Sequence, residues 1–210
     1  MKRISILAVS FVLVAGAFFA MTQFKEQKSE SQYYRVDAAK LVKPYSPKLG
    51  PDTAKVVLVE FLDPECESCA AFYPKVKNIL QKYDGKIQLV VRYMLFHNNS
   101  QLAAMATEAA GKQGKYWEMQ ELLFNRKEWT HQETPQTALF ENYAKELGLD
   151  LAKFKKDMKD EETLKNILSD YQEGPSLGVQ GTPTLFVNGR QLFQLSEGIL
   201  TDMIEEELKP

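Results

Sequence analysis

The chain contains only two cysteines, Cys66 and Cys69, and they lie where a strand pattern changes into a helical one. The run Val56–Leu62 is short, β-branched and mostly apolar, which is typical of a strand buried on both faces of a sheet. From about Cys66 to Tyr83 apolar residues recur every three or four positions, the spacing of an amphipathic helix. The sequence therefore predicts a strand, a turn at Asp63-Pro64 and a helix whose first turn carries both cysteines.

This placement favours a reactive thiol at Cys66. Unpaired backbone N–H groups and the positive end of the helix dipole lie at a helix N-terminus, so a thiolate is favoured there over a thiol. Cys69 follows one turn later and can approach Cys66 to close a disulfide. A second strand is predicted over residues 86–96, after a break at Asp84-Gly85, which makes a right-handed βαβ unit. The cysteines then lie at the carboxyl end of the first strand, where open α/β sheets place their chemistry.

The rest of the chain completes a mixed α/β pattern. Residues 98–174 are helical almost throughout, and no fixed repeat period recurs across them. The strand Thr184–Val187 is followed by Asn188-Gly189, the strongest short hairpin signal, and by a strand over residues 190–193. A final helix is predicted over residues 196–209. We expect an α/β domain with a helical insertion.

Composition excludes several classes of protein. With 44% apolar and 26% charged residues the chain can bury one full core, so it is neither disordered nor fibrous. The formal net charge of -2 comes from acidic and basic residues that are mixed along the sequence, so no basic face indicates nucleic-acid binding.

The N-terminal residues indicate export. Lys2-Arg3 precede an apolar run over residues 4–21, and we assign residues 1–23 as a signal or membrane anchor. Ala15-Gly16-Ala17 has the form of a cleavage site, but cleavage there would leave an apolar new terminus, so an uncleaved anchor is favoured. Residues 24–52 are then a tether and extended lead-in, and the domain is extracytoplasmic, a location where disulfides persist.

The order of these features resembles the DsbA family within the thioredoxin-like fold, over roughly residues 49–208. Beyond the two cysteines, Glu60 lies six residues before Cys66, Pro74 lies eight after it, and Gly181-Thr182-Pro183 precedes the hairpin. Residues 114–119 also resemble a segment of that family's helical domain. The resemblance implies a thioredoxin-like domain at residues 53–97 and 175–210, interrupted by a helical insertion at residues 98–174.

The same resemblance implies a function and site residues. It implies a thiol:disulfide oxidoreductase without cofactor or metal, in which Cys66 exchanges with substrate and Cys69 resolves the mixed disulfide. Pro183 would follow a cis peptide bond, and Thr182 would offer its backbone to bound peptide. Glu60 would exchange a proton with Cys69. The implied partners are exported proteins, partly folded or unfolded, and a membrane protein that reoxidises or reduces the cysteine pair.

Other interpretations remain open for each of these residues. Cys66 and Cys69 could form a structural disulfide, although so short a loop adds little stability. They could form half of a zinc site, but the two histidines, His97 and His131, have no paired spacing. The Glu60 carboxylate could instead reach a nearby lysine. Thr182 could be an ordinary residue at the start of a strand.

The dipeptide between the cysteines departs from the strong oxidases of the family, which resemble one another in having Pro-His there. This chain has Glu67-Ser68, and Asp63 and Glu65 add further negative charge near Cys66. Negative charge disfavours a thiolate, and a stabilised reduced form is what makes a disulfide strongly oxidising. We therefore expect an oxidase with a less oxidising potential than the strong oxidases.

Two alternatives to an oxidase remain. The acidic active-site loop also fits a disulfide reductase or isomerase, although no dimerisation segment is recognisable. A copper-binding or redox-sensing module would use the two cysteines as soft ligands, but no Met-rich or His-rich segment supports it.

Overall fold

The structure is a computed structural model that describes residues 34–209. The predicted signal or anchor at residues 1–23 and the tether up to residue 33 lie outside the described residues. The strands are β1 (Lys48–Leu49), β2 (Val56–Leu62), β3 (Ile87–Tyr93), β4 (Thr184–Val187) and β5 (Arg190–Gln191). The α-helices are α1 (Ala38–Leu41), α2 (Glu67–Lys82), α3 (Ser100–Gly111), α4 (Tyr116–Asn125), α5 (Thr137–Glu146), α6 (Leu151–Asp157), α7 (Glu161–Glu173) and α8 (Glu197–Leu208), and a 3-10 turn spans Gly174–Leu177.

The strands form one mixed sheet in the order β1-β3-β2-β4-β5. The central pair, β2 and β3, is parallel, because α2 carries the chain from the end of one to the start of the other. Strand β4 is antiparallel to both β2 and β5, and β1 is antiparallel to β3. The predicted βαβ unit and the hairpin at Asn188-Gly189 are therefore both present.

Both faces of the sheet are covered. Alternate residues of β2 point to opposite faces, so Val59 and Phe61 enter one apolar cluster while Glu60 points to the other side. That first cluster also contains Val36 and Leu41 from the lead-in segment. Helix α8 packs on β2 and β4 and also contacts α2. The central strands are consequently buried on both sides, as their apolar sequence predicts.

Helices α3 to α7 lie between β3 and β4 in the chain, and α3 to α6 share a core of their own. Trp129 is fully buried there; its indole N–H donates to the Leu123 carbonyl at 3.1 Å, and its ring meets Phe140 edge to face. The helical insertion expected from the sequence is confirmed. Within residues 34–209 no helix has the length and apolar character needed to cross a bilayer.

Some local expectations differ from the structure. The lead-in was expected to be extended, yet it contains the short helix α1 and the edge strand β1. Near the start of the described residues, Arg35 forms a single antiparallel bridge with Arg190. Strand β3 ends at Tyr93, not residue 96, because the Phe96 N–H donates to the Asp63 carboxylate instead of a neighbouring strand.

Candidate active site

Cys66 is the residue immediately before α2, as its position in the sequence predicts. Its backbone is extended, with φ -77° and ψ 123°, and its N–H donates to the Asp63 carbonyl at 3.1 Å. The thiol makes no capping hydrogen bond to the helix, so the N–H groups of the first turn remain available to a thiolate. Its Sγ lies 3.5 Å from the Thr182 carbonyl oxygen.

The two cysteines have opposite acidities. Hydrogen bonding from the Cys69 thiol, with smaller contributions from the Thr182 side chain and the N–H groups of Cys69 and Ser68, outweighs burial and lowers the pKa of Cys66 to about 5. Burial and the neighbouring Cys66 raise the pKa of Cys69 well above its ordinary value. Cys66 is the thiolate at neutral pH, and Cys69 remains a thiol that donates to it.

Both cysteines are free thiols in the structure. The disulfide predicted between Cys66 and Cys69 would be the oxidised state of the same pair, and it stays a prediction. Cys69 has no exposed surface, whereas Cys66 retains 9% of its surface at the protein exterior. Of the two sulfur-bearing residues, Cys66 is therefore the one that can be reached from the protein surface.

Sheet pairing brings the proline loop beside Cys66. The Thr182-Pro183 peptide bond is cis, as the resemblance to the DsbA family implies. Strand β4 begins directly after it, with Thr184 opposite Phe61 near the carboxyl end of β2. Because Cys66 follows that same end of β2, the Thr182 carbonyl and the Cys66 thiol are neighbours although 116 residues separate them.

Glu60 is a buried carboxyl group in the middle of the sheet. Only 2% of its surface is exposed, and burial raises its pKa to about 7. Among residues 34–209 no lysine, arginine or histidine forms an ion pair with it, so the alternative in which its carboxylate reaches a lysine finds no support. Its charge raises the pKa of Cys69, which places the two groups in one electrostatic environment.

Two of the acidic residues beside Cys66 are held differently from what the sequence suggests. Asp63 is fully buried and accepts four hydrogen bonds, from the backbone N–H groups of Glu65 and Phe96, the Ser100 hydroxyl and the His97 ring. These donors compensate the charge that was expected to oppose a thiolate.

Glu65 is buried in the same way. Its carboxylate accepts the backbone N–H of Asn99 at 2.6 Å and that of His131 at 2.7 Å. Both partners belong to the chain between β3 and β4, so Glu65 joins the active-site loop to the helical insertion. Of the three carboxylates expected to oppose a thiolate at Cys66, Glu67 is therefore the one that lies exposed at the surface, without buried donors.

Both histidines lie beside this loop, which sequence reasoning missed. The His97 ring contacts Asp63 at 2.7 Å; burial opposes protonation, but the Asp63 carboxylate prevails and the pKa of His97 is raised. The His131 ring contacts the Glu67 carboxylate and meets His97 edge to face at 6.0 Å. Their spacing along the chain carries no signal of this, because the contacts depend on how the insertion packs against the sheet.

The zinc alternative gains no support from this proximity. Within the described part of the chain, no group of three or more His, Cys, Asp or Glu side chains is arranged to hold a metal ion. Each histidine is engaged with a carboxylate, Asp63 for His97 and Glu67 for His131.

Known proteins resemble this chain in sequence and in fold. The model of the Thioredoxin family matches residues 42–206. Disulfide bond formation protein D of Bacillus subtilis (strain 168) is 32% identical over 173 residues, which cover 78% of this chain and 77% of that protein. The crystal structure of oxidised BdbD from Bacillus subtilis superposes with a TM-score of 0.70 and 29% identity, covering 79% of this chain and 94% of that one.

A second group of relatives is much longer than this chain. Na(+)/H(+) antiporter NhaA 3 of Salinispora tropica is 34% identical over 170 residues, which are 77% of this chain but 25% of the antiporter. The chain thus spans about a quarter of the length of that relative. The match to the family model extends across the cysteine helix and the proline loop, and the chain belongs to the thioredoxin family.

Proposed function

We propose that the protein is an exported thiol:disulfide oxidoreductase that exchanges disulfides with extracytoplasmic proteins. The observation that carries the proposal is the pairing of a low-pKa thiol, Cys66, with a buried high-pKa thiol, Cys69, beside a cis-proline loop. The name of a similar protein, disulfide bond formation protein D of Bacillus subtilis, supports the same activity. A structural disulfide would have no need for a stabilised thiolate.

In the oxidising direction the reaction has two exchange steps. A substrate thiolate attacks Sγ of Cys66 in the oxidised pair; the Cys66–Cys69 bond breaks, a mixed disulfide forms, and Cys69 leaves as a thiolate. A second substrate thiolate then attacks the substrate sulfur of the mixed disulfide, and Cys66 leaves as the stabilised thiolate. Two electrons pass from the substrate dithiol to the cysteine pair.

Glu60 fits the proton transfer that this sequence requires. Cys69 leaves as a thiolate in a buried environment that strongly favours the thiol, so it needs a proton. A carboxyl with a pKa of about 7 holds a proton in half of the molecules near neutral pH and can supply it. In the reducing direction Glu60 would take the same proton back.

The surface around Cys66 suits an extended polypeptide substrate. The Thr182 backbone at the start of β4 would pair with the substrate backbone, as in strand addition. Phe96, three residues beyond β3, and Tyr171 on α7 form an exposed aromatic pair with ring centroids 6.1 Å apart. The backbone of Phe96 is bound to Asp63, so this apolar surface adjoins the cysteine loop. Unfolded or partly folded proteins expose the apolar side chains that it would bind.

The pKa of Cys66 supports an intermediate redox potential. Thioredoxin has a corresponding pKa of about 7 and DsbA one of about 3.5, and a lower pKa accompanies a more oxidising couple. With a pKa of about 5, Cys66 falls between them. We expect a potential between the values of about -270 mV for thioredoxin and about -120 mV for DsbA.

Equilibration with glutathione buffers, together with the ultraviolet absorbance of the thiolate as a function of pH, measures both quantities. Cys69→Ala should raise the pKa of Cys66 by about one unit or more, because it removes the strongest hydrogen-bond donor to the Cys66 thiolate. A potential as oxidising as that of DsbA would contradict this proposal, as would a Cys66 pKa near that of an ordinary cysteine.

The activity itself is tested by disulfide transfer to a reduced, unfolded protein. The oxidised enzyme should transfer its disulfide, whereas Cys66→Ser and Cys69→Ser, which cannot form the disulfide, should transfer none. Incubated instead with a disulfide-bonded protein, Cys69→Ser should accumulate a mixed disulfide, because its Cys66 thiolate attacks the substrate disulfide and the resolving sulfur is missing. If the wild-type protein transfers no disulfide to any unfolded protein, the proposed activity is wrong.

Residues 4–21 would export the domain and anchor it to the outer face of the membrane, where a membrane redox protein would reoxidise Cys66 and Cys69. Trapping the thiols in cells by alkylation tests the direction of electron flow. A largely oxidised pair is expected for an oxidase, whereas a largely reduced pair would assign the protein as a reductase or isomerase.

A further inference from the structure

His131 reaches the dipeptide between the cysteines from the helical insertion. Its ring nitrogen Nε2 contacts Oε1 of Glu67, the first residue of α2 and the immediate neighbour of Cys66. The two residues are 64 positions apart in sequence.

The backbone of His131 is held in place for this contact. Its φ is 57°, in the left-handed region that non-glycine residues rarely adopt. Its N–H donates at 2.7 Å to Glu65, whose carboxylate is buried and also bound to the Asn99 N–H. The rotation of the backbone and the contact with Glu65 together direct the ring toward Glu67.

The contact determines where the negative charge of Glu67 is compensated. Asp63 and Glu65 are already compensated by buried donors, whereas the exposed carboxylate of Glu67 is stabilised by a backbone N–H at the start of α2 and by the His131 ring. Without His131, more of the negative charge of Glu67 would act on the Cys66 thiolate one residue away. Such a charge raises the pKa of a thiol and makes its disulfide less oxidising.

We propose that His131 is a positioning residue that holds and compensates Glu67, and thereby sets the redox potential of the Cys66–Cys69 pair. The inference deepens the proposed function and rests on it. The side chains of His131 and Glu67 are 55% and 59% exposed, so water and salt screen the interaction and its effect is moderate.

The test is a double-mutant cycle with His131→Asn and Glu67→Gln. Asparagine tolerates the left-handed backbone, so His131→Asn removes the ring while it keeps the loop conformation. We expect His131→Asn to raise the pKa of Cys66 and to make the disulfide about two- to fivefold less oxidising in its equilibrium with glutathione. Glu67→Gln should have the opposite effect, and adding His131→Asn to it should change nothing further.

Gln132→Ala is the matched control on the same loop, because it keeps the backbone carbonyl that accepts from Asn99. It should leave the pKa of Cys66 and the equilibrium constant unchanged. The inference is wrong if His131→Asn changes neither quantity, or if its effect persists in the Glu67→Gln background. A lower free energy of unfolding in His131→Asn without a change in the Cys66 pKa would assign His131 a structural role only.

The thiol pKa separates this inference from the proposed function, because it is measured without any protein substrate. Disulfide transfer by the wild-type enzyme without a His131 effect would overturn the inference alone. A His131 effect on the pKa without any disulfide transfer would overturn the proposed function, and with it the role of His131 in setting a working potential.

Discussion

The side chains at the centre of the site are forced into opposite protonation states by their surroundings. Cys66 lies at a helix N-terminus among donors and ionises easily, whereas Glu60 and Cys69 are buried and lose their protons only at a higher pH than usual. An acid and a base with pKa values displaced in opposite directions are what exchange chemistry near neutral pH requires. The same burial of Glu60 has a consequence for stability.

We predict that the free energy of unfolding of wild type falls as the pH rises, and that Glu60→Gln abolishes the part of this fall that is due to Glu60. In the unfolded chain the Glu60 carboxyl has its ordinary pKa near 4.5, whereas in the folded protein the pKa is about 7. Between these values the folded protein keeps a proton that the unfolded chain has lost, so the free energy of unfolding falls until the pH passes about 7. Relative to wild type, Glu60→Gln should gain about 2 to 3 kcal/mol between about pH 5 and about pH 8.

Urea unfolding of the reduced proteins measures this difference. The depressed pKa of Cys66 has the opposite effect on the pH dependence, but it is common to both proteins and cancels in the comparison. Glu162→Gln, at an exposed position of α7, is the control and should follow wild type. If the free energy of unfolding depends on pH in the same way in wild type and Glu60→Gln, the pKa of Glu60 is not raised by folding and the prediction is wrong.

Among the secondary-structure elements, the β4–β5 hairpin holds the proline loop against the rest of the domain. Asn188 and Gly189 both have positive φ, as a tight two-residue hairpin requires. The lead-in segment crosses this turn closely: the Val36 N–H donates to the Gly189 carbonyl at 2.8 Å. A Cβ on Gly189 would lie 2.2 Å from the Val36 carbonyl oxygen, so there is no room for a side chain.

We predict that Gly189→Ala is clearly more destabilising than Gly85→Ala. Both glycines have positive φ, 87° and 72°, so both substitutions incur the left-handed backbone penalty of about 1 to 2 kcal/mol. Only Gly189→Ala also forces Val36 to move, which should add about 1 to 3 kcal/mol. Chemical unfolding of the two variants gives the difference, and equal losses would contradict the close approach of Val36.

For the molecule as a whole, a buried ion pair joins three separate parts of the chain. Arg92 of β3 has no exposed side-chain surface; it pairs with Asp170 and Glu173 of α7 and donates to the Leu41 carbonyl of the lead-in segment. The Asp170 carboxylate also accepts from the Tyr93 N–H at 3.1 Å. The sheet, the helical insertion and the lead-in segment therefore share one charge network.

We predict that Asp170→Ala destabilises the protein by about 3 to 5 kcal/mol, because it leaves the guanidinium of Arg92 buried without its main partner. Glu173→Ala is the matched control: it removes a carboxylate that contacts the same guanidinium but is 36% exposed, so its loss should be about 1 kcal/mol or less. Thermal or urea unfolding compares them. Similar losses of unfolding free energy for the two variants would mean that burial does not determine how much each ion pair of Arg92 contributes to stability.

Local patterns determined much of this protein. The apolar run Val56–Leu62, the helical spacing after Cys66 and the Asn188-Gly189 turn each depend on neighbouring residues, so strand, helix and hairpin were predictable. The position of Cys66 before α2 followed from the same local periodicity. Together with Pro183, these features were sufficient to indicate the family.

The electrostatics of the site depended on the tertiary structure. The sequence shows Asp63, Glu65 and Glu67 as three carboxyl residues around one thiol. Only folding determines which of them are buried and supplies most of their partners, from residues that are 33 or more positions away in the chain. His131 was assigned no role for the same reason. Secondary structure follows from local periodicity, whereas the charge that a thiolate experiences depends on burial and on contacts between distant segments.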